Sequence, residues 1–282
     1  MKTDMHPLHF TVFRISLGLY LLMHFLFLFP FSTELFSNEG MLASVQFNLT
    51  SGLFPINILN SWDDPVNVKI FVSVLILSAL SLILGFKRRL VAAVLLYGWM
   101  ALFNRNNLIL TPGLAFVGWL LAVMIFVPEG EPYSLFTKKV PKWEMPLVVY
   151  SGAWLIMSLA YTLSGIDKLS SPSWVDGTGI HKLLDNPLIR DTELVDFFRD
   201  QVPVVHKFTT YLIVLAELLF FPLALFRFTR VIVWCLMVFI HLGIIALMNI
   251  TDLSIAMLMI HVFTFDRGWL KMLKHRPVHP IN

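Results

Sequence analysis

The sequence predicts an all-α polytopic membrane protein: a single bundle of about eight transmembrane helices over residues 1–282, with no separate soluble domain. Three observations predict it. Of the 282 residues, 57% are hydrophobic, and the mean hydropathy is +0.76. Only 14% are charged, against about 25% in soluble domains. Several apolar runs approach or exceed the roughly 20 residues that cross a hydrocarbon core of about 30 Å.

Charge and cysteine content narrow the function classes. The net charge is +3, and the basic residues sit in short clusters between apolar runs. Clusters so placed set membrane orientation, so a pI near 9.0 does not argue for a nucleic-acid partner. Cys235 is the single cysteine and lies inside an apolar run. An intrachain disulfide, a CxxC redox site and a thiolate zinc site are therefore excluded, and no metal is predicted. The sequence holds no Gly-rich phosphate loop, zinc-ligand spacing or internal repeat.

The first span is read at about 10–30, carrying Arg14 and His24. The leading MKTDMHPLHF is too polar, and the run after it too long, for a cleaved signal peptide, so this span is expected to be an uncleaved anchor. Residues 31–66 contain Glu34, Glu39, Asp63 and Asp64 but no Lys or Arg; their scattered apolar residues predict a segment lying in the interface. Spans follow at about 67–86, 90–103, 110–127 and 146–166, with Lys87-Arg88-Arg89 after the second and Asn104-Arg105-Asn106-Asn107 after the third. Residues 167–205 form the largest polar region, in which LVDFFRDQV predicts a short amphipathic helix. Spans at about 206–226, 229–248 and 252–265 complete the set, followed by a tail with Arg267, Lys271, Lys274 and Arg276. Spans three and eight are short enough to be half-helices or re-entrant, an arrangement that holds polar groups near the midplane.

Loops after spans two, four and six, and the tail, hold most of the Lys and Arg. That asymmetry places both termini in the cytoplasm of a multi-pass plasma (inner) membrane protein. Residues 31–66, 167–205, Arg105 and Asn249 then face outside.

Polar residues inside or beside these spans are the candidate site. Tyr161 to His181, YTLSGIDKLSSPSWVDGTGIH, leaves a strongly apolar run, is expected to break at Gly165, and presents Asp167 and Lys168 before Trp174. Lys168 either snorkels to the headgroups, with Asp167 neutralising it, or serves as a base in a fixed turn. Glu217 lies roughly 16 Å along span six, where a carboxylate must be protonated, paired or in contact with water. It is either a helix fastener or a proton acceptor. His24 and His241 lie at depths of roughly 10 and 12 Å by the same rise. Each either bonds a neighbouring helix or joins Glu217 in a shared cavity. His261 is placed at the opposite face, as an interface residue. Arg105, Asn107 and Asn249 sit in polar elbows that turn chemistry alone explains, and that also supply donors to a quinone-like headgroup.

Two stretches carry a family resemblance. Ser164-Gly165-Ile166-Asp167-Lys168-Leu169, followed by Ser173-Trp174-Val175-Asp176-Gly177, resembles the Gly-x-x-Lys-Leu…Trp-x-x-Gly passage of the vitamin K-dependent gamma-carboxylase membrane domain and its bacterial relatives, the horizontally transferred transmembrane domain (HTTM) proteins. Met248-Asn249 with Ser254-Ile255-Ala256-Met257 resembles their Met-Asn…Ser-Ile-Gly-Met segment. Asn106-Asn107 and the Glu-containing sixth span are weaker echoes. The resemblance implies an outer-face site where Lys168 is the base that deprotonates a vitamin K-like reduced quinone, in a carboxylase-like or epoxidase-like reaction. Leu108 stands where the carboxylases carry a histidine, and their following soluble domain has no counterpart here. Those departures leave a cavity for a quinol-like or lipidic molecule beside Lys168, with Glu217 as a second catalytic candidate and Trp174 among the ligand-binding ones. The partners expected are membrane lipid or quinone and a membrane or extracytoplasmic protein, not nucleic acid. Two further classes stay open: a non-catalytic membrane component whose polar residues fasten helices, and a small transporter. The sequence shows no paired repeats or broken central helices in favour of the last.

Overall fold

Pro7, Pro65, Pro112, Pro172 and Pro203 each open a helix in the computed structural model. At the first helical position the missing N–H has no intrahelical partner to lose, and the fixed φ suits the helix. The structure describes residues 5–48, 52, 54, 56–135 and 139–269; Lys138 and the basic tail from 270 onward lie outside them. The described residues are helical and contain no strand, only an isolated antiparallel bridge between Ile189 and Met248. They divide into two compact units, 1–149 and 150–282.

The first unit contains α1 (Pro7–Leu28), α2 (Ser32–Phe36), α3 (Pro65–Leu84), α4 (Arg88–Arg105) and α5 (Pro112–Phe126). α1 packs on α3, α3 on α4, and α4 on α5. Arg14 and Arg88 are fully buried within it. Arg14 donates to Leu82 O at 2.7 Å, Ile83 O at 2.6 Å and Tyr133 O at 2.8 Å. Arg88 donates to Val127 O at 2.9 Å, Pro128 O at 2.7 Å and Met124 O. The two guanidinium groups thus bond carbonyls at the C-terminal ends of α3 (Leu82, Ile83) and α5 (Met124), where a helix runs short of donors of its own. Cations are favoured at those ends. Glu131 supplies the countercharge, with Oε1 at 2.9 Å from Arg88 Nε and 3.4 Å from Arg14 Nε. Arg14 is thus paired inside the fold and does not reach the headgroups.

At the other end of α4, polar side chains tie down the loop. Arg105 donates to Leu42 O at 2.7 Å, and Asn106 Nδ2 to Leu35 O at 2.8 Å. Asn57 Nδ2 reaches Ala101 O at 2.9 Å. Leu35, Leu42 and Asn57 of the 31–66 segment are therefore anchored to the helix end by hydrogen bonds.

The second unit contains α6 (Leu147–Lys168), α7 (Pro172–Asp176), α8 (Gly179–Leu184), α9 (Glu193–Arg199), α10 (Pro203–Leu218), α11 (Phe220–Leu225), α12 (Arg227–Leu247) and α13 (Asp252–Thr264). The expected amphipathic helix is α9. Its Val195 packs with Leu184 and Ile189 in a small core against Leu247 and Met248.

Four helical stretches are long and apolar enough to cross a membrane: Pro7–Phe36, α3, α6 and α12. The other expected spans map onto shorter or interrupted helices. α5 and α13 are apolar but short, and α4 carries Arg88, Arg89 and Arg105. Span six is broken, contrary to the expectation of an unbroken run. α10 ends at Leu218 and α11 begins at Phe220. Pro222 is the physical reason: it has no N–H for the Leu218 carbonyl, and its ring crowds that carbonyl. Thr162 of α6 accepts the Phe221 N–H at 3.1 Å, so the break is closed by a hydroxyl from a neighbouring helix.

Candidate functional site

The site is built on one face of α6. Tyr161, Ser164 and Lys168 are spaced three and four residues apart, which puts them in line along an α-helix. Seven residues cover roughly 10 Å of helix axis, so the line spans two turns.

At the Lys168 end, Nζ donates to Ser164 Oγ at 2.9 Å and to Glu217 Oε2 at 2.6 Å. The side chains of this ion pair are 19% and 10% exposed, so it is nearly but not wholly shielded. Nζ also lies 5.2 Å from the centre of the Trp174 ring, within the range of a cation–π contact. An ammonium has three donors, and two are engaged here.

Close backbone packing makes the pair possible. A Cβ at Gly165 would stand 2.4 Å from Leu218 N and 2.7 Å from Leu218 Cα. Glycine therefore lets α6 touch the end of α10, one residue from Glu217. Gly165 does not break the helix, as the sequence suggested; α6 runs through it to Lys168. Asp167 is exposed and is not the partner of Lys168, since adjacent helical residues point to different faces.

Trp174 is carried by α7, which ends at Gly177 with φ +86°. Asp176 closes the turn by accepting the Thr178 hydroxyl at 2.6 Å and the Thr178 N–H at 2.8 Å. Those bonds favour the carboxylate and hold the exposed Asp176 carboxyl below its ordinary range.

Two turns back along α6, Tyr161 is the centre of a second cluster. Its hydroxyl lies 2.8 Å from His241 Nε2 and 2.8 Å from His261 Nε2. His241 Nδ1 lies 3.1 Å from Ser254 Oγ. All four side chains are buried, from 0% exposed at Ser254 to 4% at Tyr161 and His241. Phe220 packs on the tyrosine ring, with centroids 4.7 Å apart.

Lys168 Nζ thus meets both Glu217 and Trp174, whereas the sequence reading groups Glu217 with His24 and His241. His241 belongs to the tyrosine cluster, and its similar depth to Glu217 did not reveal its partners. Asn249 is exposed, and its N–H donates to Leu188 O at 2.8 Å beside the 189–248 bridge. His24, Arg105 and Asn107 belong to the first unit. His24 sits among aromatic rings, 4.9 Å from Trp99. Arg105 holds the 31–66 loop, and Asn107 opens a short 3-10 turn, Asn107–Ile109, in which Leu108 is exposed. Among the described residues, no group of three His, Cys, Asp or Glu is placed to hold a metal ion.

Sequence reasoning missed Tyr161, Ser164 and Ser254 and set His261 aside. The signal was there as spacing: 161, 164 and 168 on α6, and 254 and 261 on α13, each set on a common face.

No protein-family model, curated protein or solved structure matches this chain. A carboxylate 2.6 Å from an amine can exchange a proton with it without moving a side chain, and the remaining Nζ donor is free to meet a ligand oxygen.

Proposed function

We propose that the chain is an integral membrane protein of the gamma-carboxylase-like kind that binds the head of a quinol-like or lipidic molecule beside Lys168. In this reading Lys168 first passes a proton to Glu217 and, as the neutral amine, accepts the proton of the ligand hydroxyl. The observation that carries the reading is the Lys168–Glu217 pair, held next to Trp174 and left partly open. A lysine that only snorkelled would point its ammonium at water, without a buried carboxylate partner. Trp174 offers a flat face to an aromatic head group, and the passage holding both residues is the one that resembles the carboxylase lysine segment.

The placement proposed is multi-pass in the plasma membrane, with about eight crossings, cytoplasmic termini and the Lys168 end outside. Its support is the distribution of Lys and Arg, counted without Arg14 and Arg88, which are paired inside the fold.

The test is anaerobic titration of purified protein with a short-chain menaquinol, following the absorbance of the bound anion. Wild type should form the anion, and Lys168→Ala and Lys168→Arg should not. Mass spectrometry of lipid co-extracted with the protein gives an independent check: a quinone or quinol supports the reading. A non-catalytic fastening role is favoured by the burial of the tyrosine cluster; it expects no anion and unchanged stability on adding quinol.

A further inference from the structure

α4 and α5 run antiparallel, with Trp99 against Leu114 and Leu96 beside Gly118. Between them lies a groove of about 780 Å³, within the roughly 300–1,000 Å³ of small-molecule sites. Its walls include Trp99 and Phe103 of α4 and Trp119 of α5. Thr111, Ala115, Gly118 and Ala122 also line it. Spaced three and four residues apart, these four form one row along α5. Thr111 contributes a hydroxyl, and the other lining residues are apolar or aromatic.

Gly118 has no packing reason inside the fold. It stands midway along α5, where glycine is less favourable than alanine. A Cβ there would meet only Leu96 Cδ1, at 3.9 Å, an ordinary contact. Gly98 of α4 is different, because a Cβ at 98 would collide with Leu75 of α3. Nor can the wall fold in to fill the space. Trp99 Nε1 donates to Leu114 O at 2.9 Å, and its ring packs on Phe103 with centroids 4.8 Å apart. A fixed indole and a missing methyl therefore hold the groove open.

Length and chemistry select the occupant. From Thr111 to Ala122 the row covers roughly 16 Å of helix axis, about half of a 30 Å hydrocarbon core. The groove thus matches one leaflet. Among the described residues no charged side chain lines it, which suits a hydrocarbon chain and not a head group. Thr111 is the N-cap of α5, yet its hydroxyl makes no capping bond and no other hydrogen bond within the fold. An ester carbonyl at that end of the groove gives it an acceptor.

We propose that the α4–α5 groove holds one acyl chain of a phospholipid from the leaflet at the Thr111 end, with its ester group level with Thr111. That leaflet is the outer one in the orientation proposed above. The site itself does not depend on the Lys168 chemistry.

Thermal unfolding of full-length, delipidated protein in detergent, with and without dioleoyl phosphatidylglycerol, tests the site. Added lipid should raise the wild-type midpoint, and native mass spectrometry should show one retained lipid. Gly118→Leu should fill the groove. Its midpoint without lipid should match or exceed wild type, and it should bind lipid about tenfold more weakly, the equivalent of about two methylenes left unburied. Ala115→Leu intrudes on the same row and covers a Gly118→Leu variant that does not fold. Wild type should prefer ester-linked to ether-linked lipid, and Thr111→Val should bind the two equally. Lipid binding equal to wild type in both leucine variants overturns the site, and no ester preference in wild type overturns the placement at Thr111. A midpoint raised by menaquinone and not by phospholipid overturns the acyl-chain assignment. A lipid-free dimer that either leucine variant splits makes a second copy the occupant, and overturns it as well.

Discussion

Gly165 and Leu218 meet backbone to backbone, with no room for a Cβ at 165. That contact sets the distance at which Lys168 on α6 and Glu217 on α10 can pair. Gly165→Ala should therefore push the helices apart by overpacking, at a cost of about 1–3 kcal/mol. Expected together are a lower thermal midpoint and weaker menaquinol binding. Binding equal to wild type in a stably folded alanine variant would separate the glycine from the site.

Glu217 should tolerate glutamine better than leucine. The amide keeps a hydrogen-bond acceptor for Lys168 Nζ, whereas leucine leaves a nearly buried ammonium short of a partner, at a cost of about 1–3 kcal/mol. Thermal unfolding of the two variants in the same detergent measures the difference. Leucine as stable as wild type would show that the pair contributes nothing to folding.

Lys168→Arg distinguishes charge from proton transfer. Arginine keeps the charge but holds its proton, with a pKa above about 12. If Lys168 accepts the ligand proton, arginine and alanine variants should fail alike in anion formation, at matched protein levels. Rescue by arginine would point to an electrostatic role, and full function in the alanine variant would remove Lys168 from the site.

Glu131 should matter to stability and not to the Lys168 chemistry. Its loss leaves Arg14 and Arg88 buried without a countercharge, which costs about 3–5 kcal/mol. Glu131→Ala should lower the thermal midpoint sharply, and a second substitution, Arg14→Met, should recover part of the loss. Absence of any recovery would argue against charge imbalance as the cause.

Orientation is open to cysteine labelling on a Cys235→Ser background. Probes at 87 and 139 should react only after the inner face is exposed, and a probe at 180 should react in intact cells. The opposite pattern would invert the proposed topology.

The helices were legible where apolar residues fill a long run, as in α1, α3 and α6, the first two of them opened by a proline. What hydropathy could not show was the break at Leu219, because a single Pro222 barely lowers the average of a window filled with Leu and Phe, while it removes a donor from the helix. Lys168, Glu217 and Trp174 stood out for their chemical type in an apolar setting. Tyr161 did not, because a tyrosine in a membrane span is unremarkable until its hydroxyl is seen between two imidazoles. His24 and His241 had equal claims by depth, yet depth along a helix says nothing about the direction in which a side chain points.

Arg14 and Glu131 also bear on the order in which the chain is made. Synthesis at roughly 5–20 residues per second puts about ten seconds between the appearance of the arginine and that of the carboxylate. During that interval α1 and α3 exist with a guanidinium that nothing yet neutralises. The hairpin they form cannot settle until α5 and the residues after it have emerged. The first unit therefore locks from its C-terminal side, because the countercharge of its earliest buried cation is among its last residues to be added.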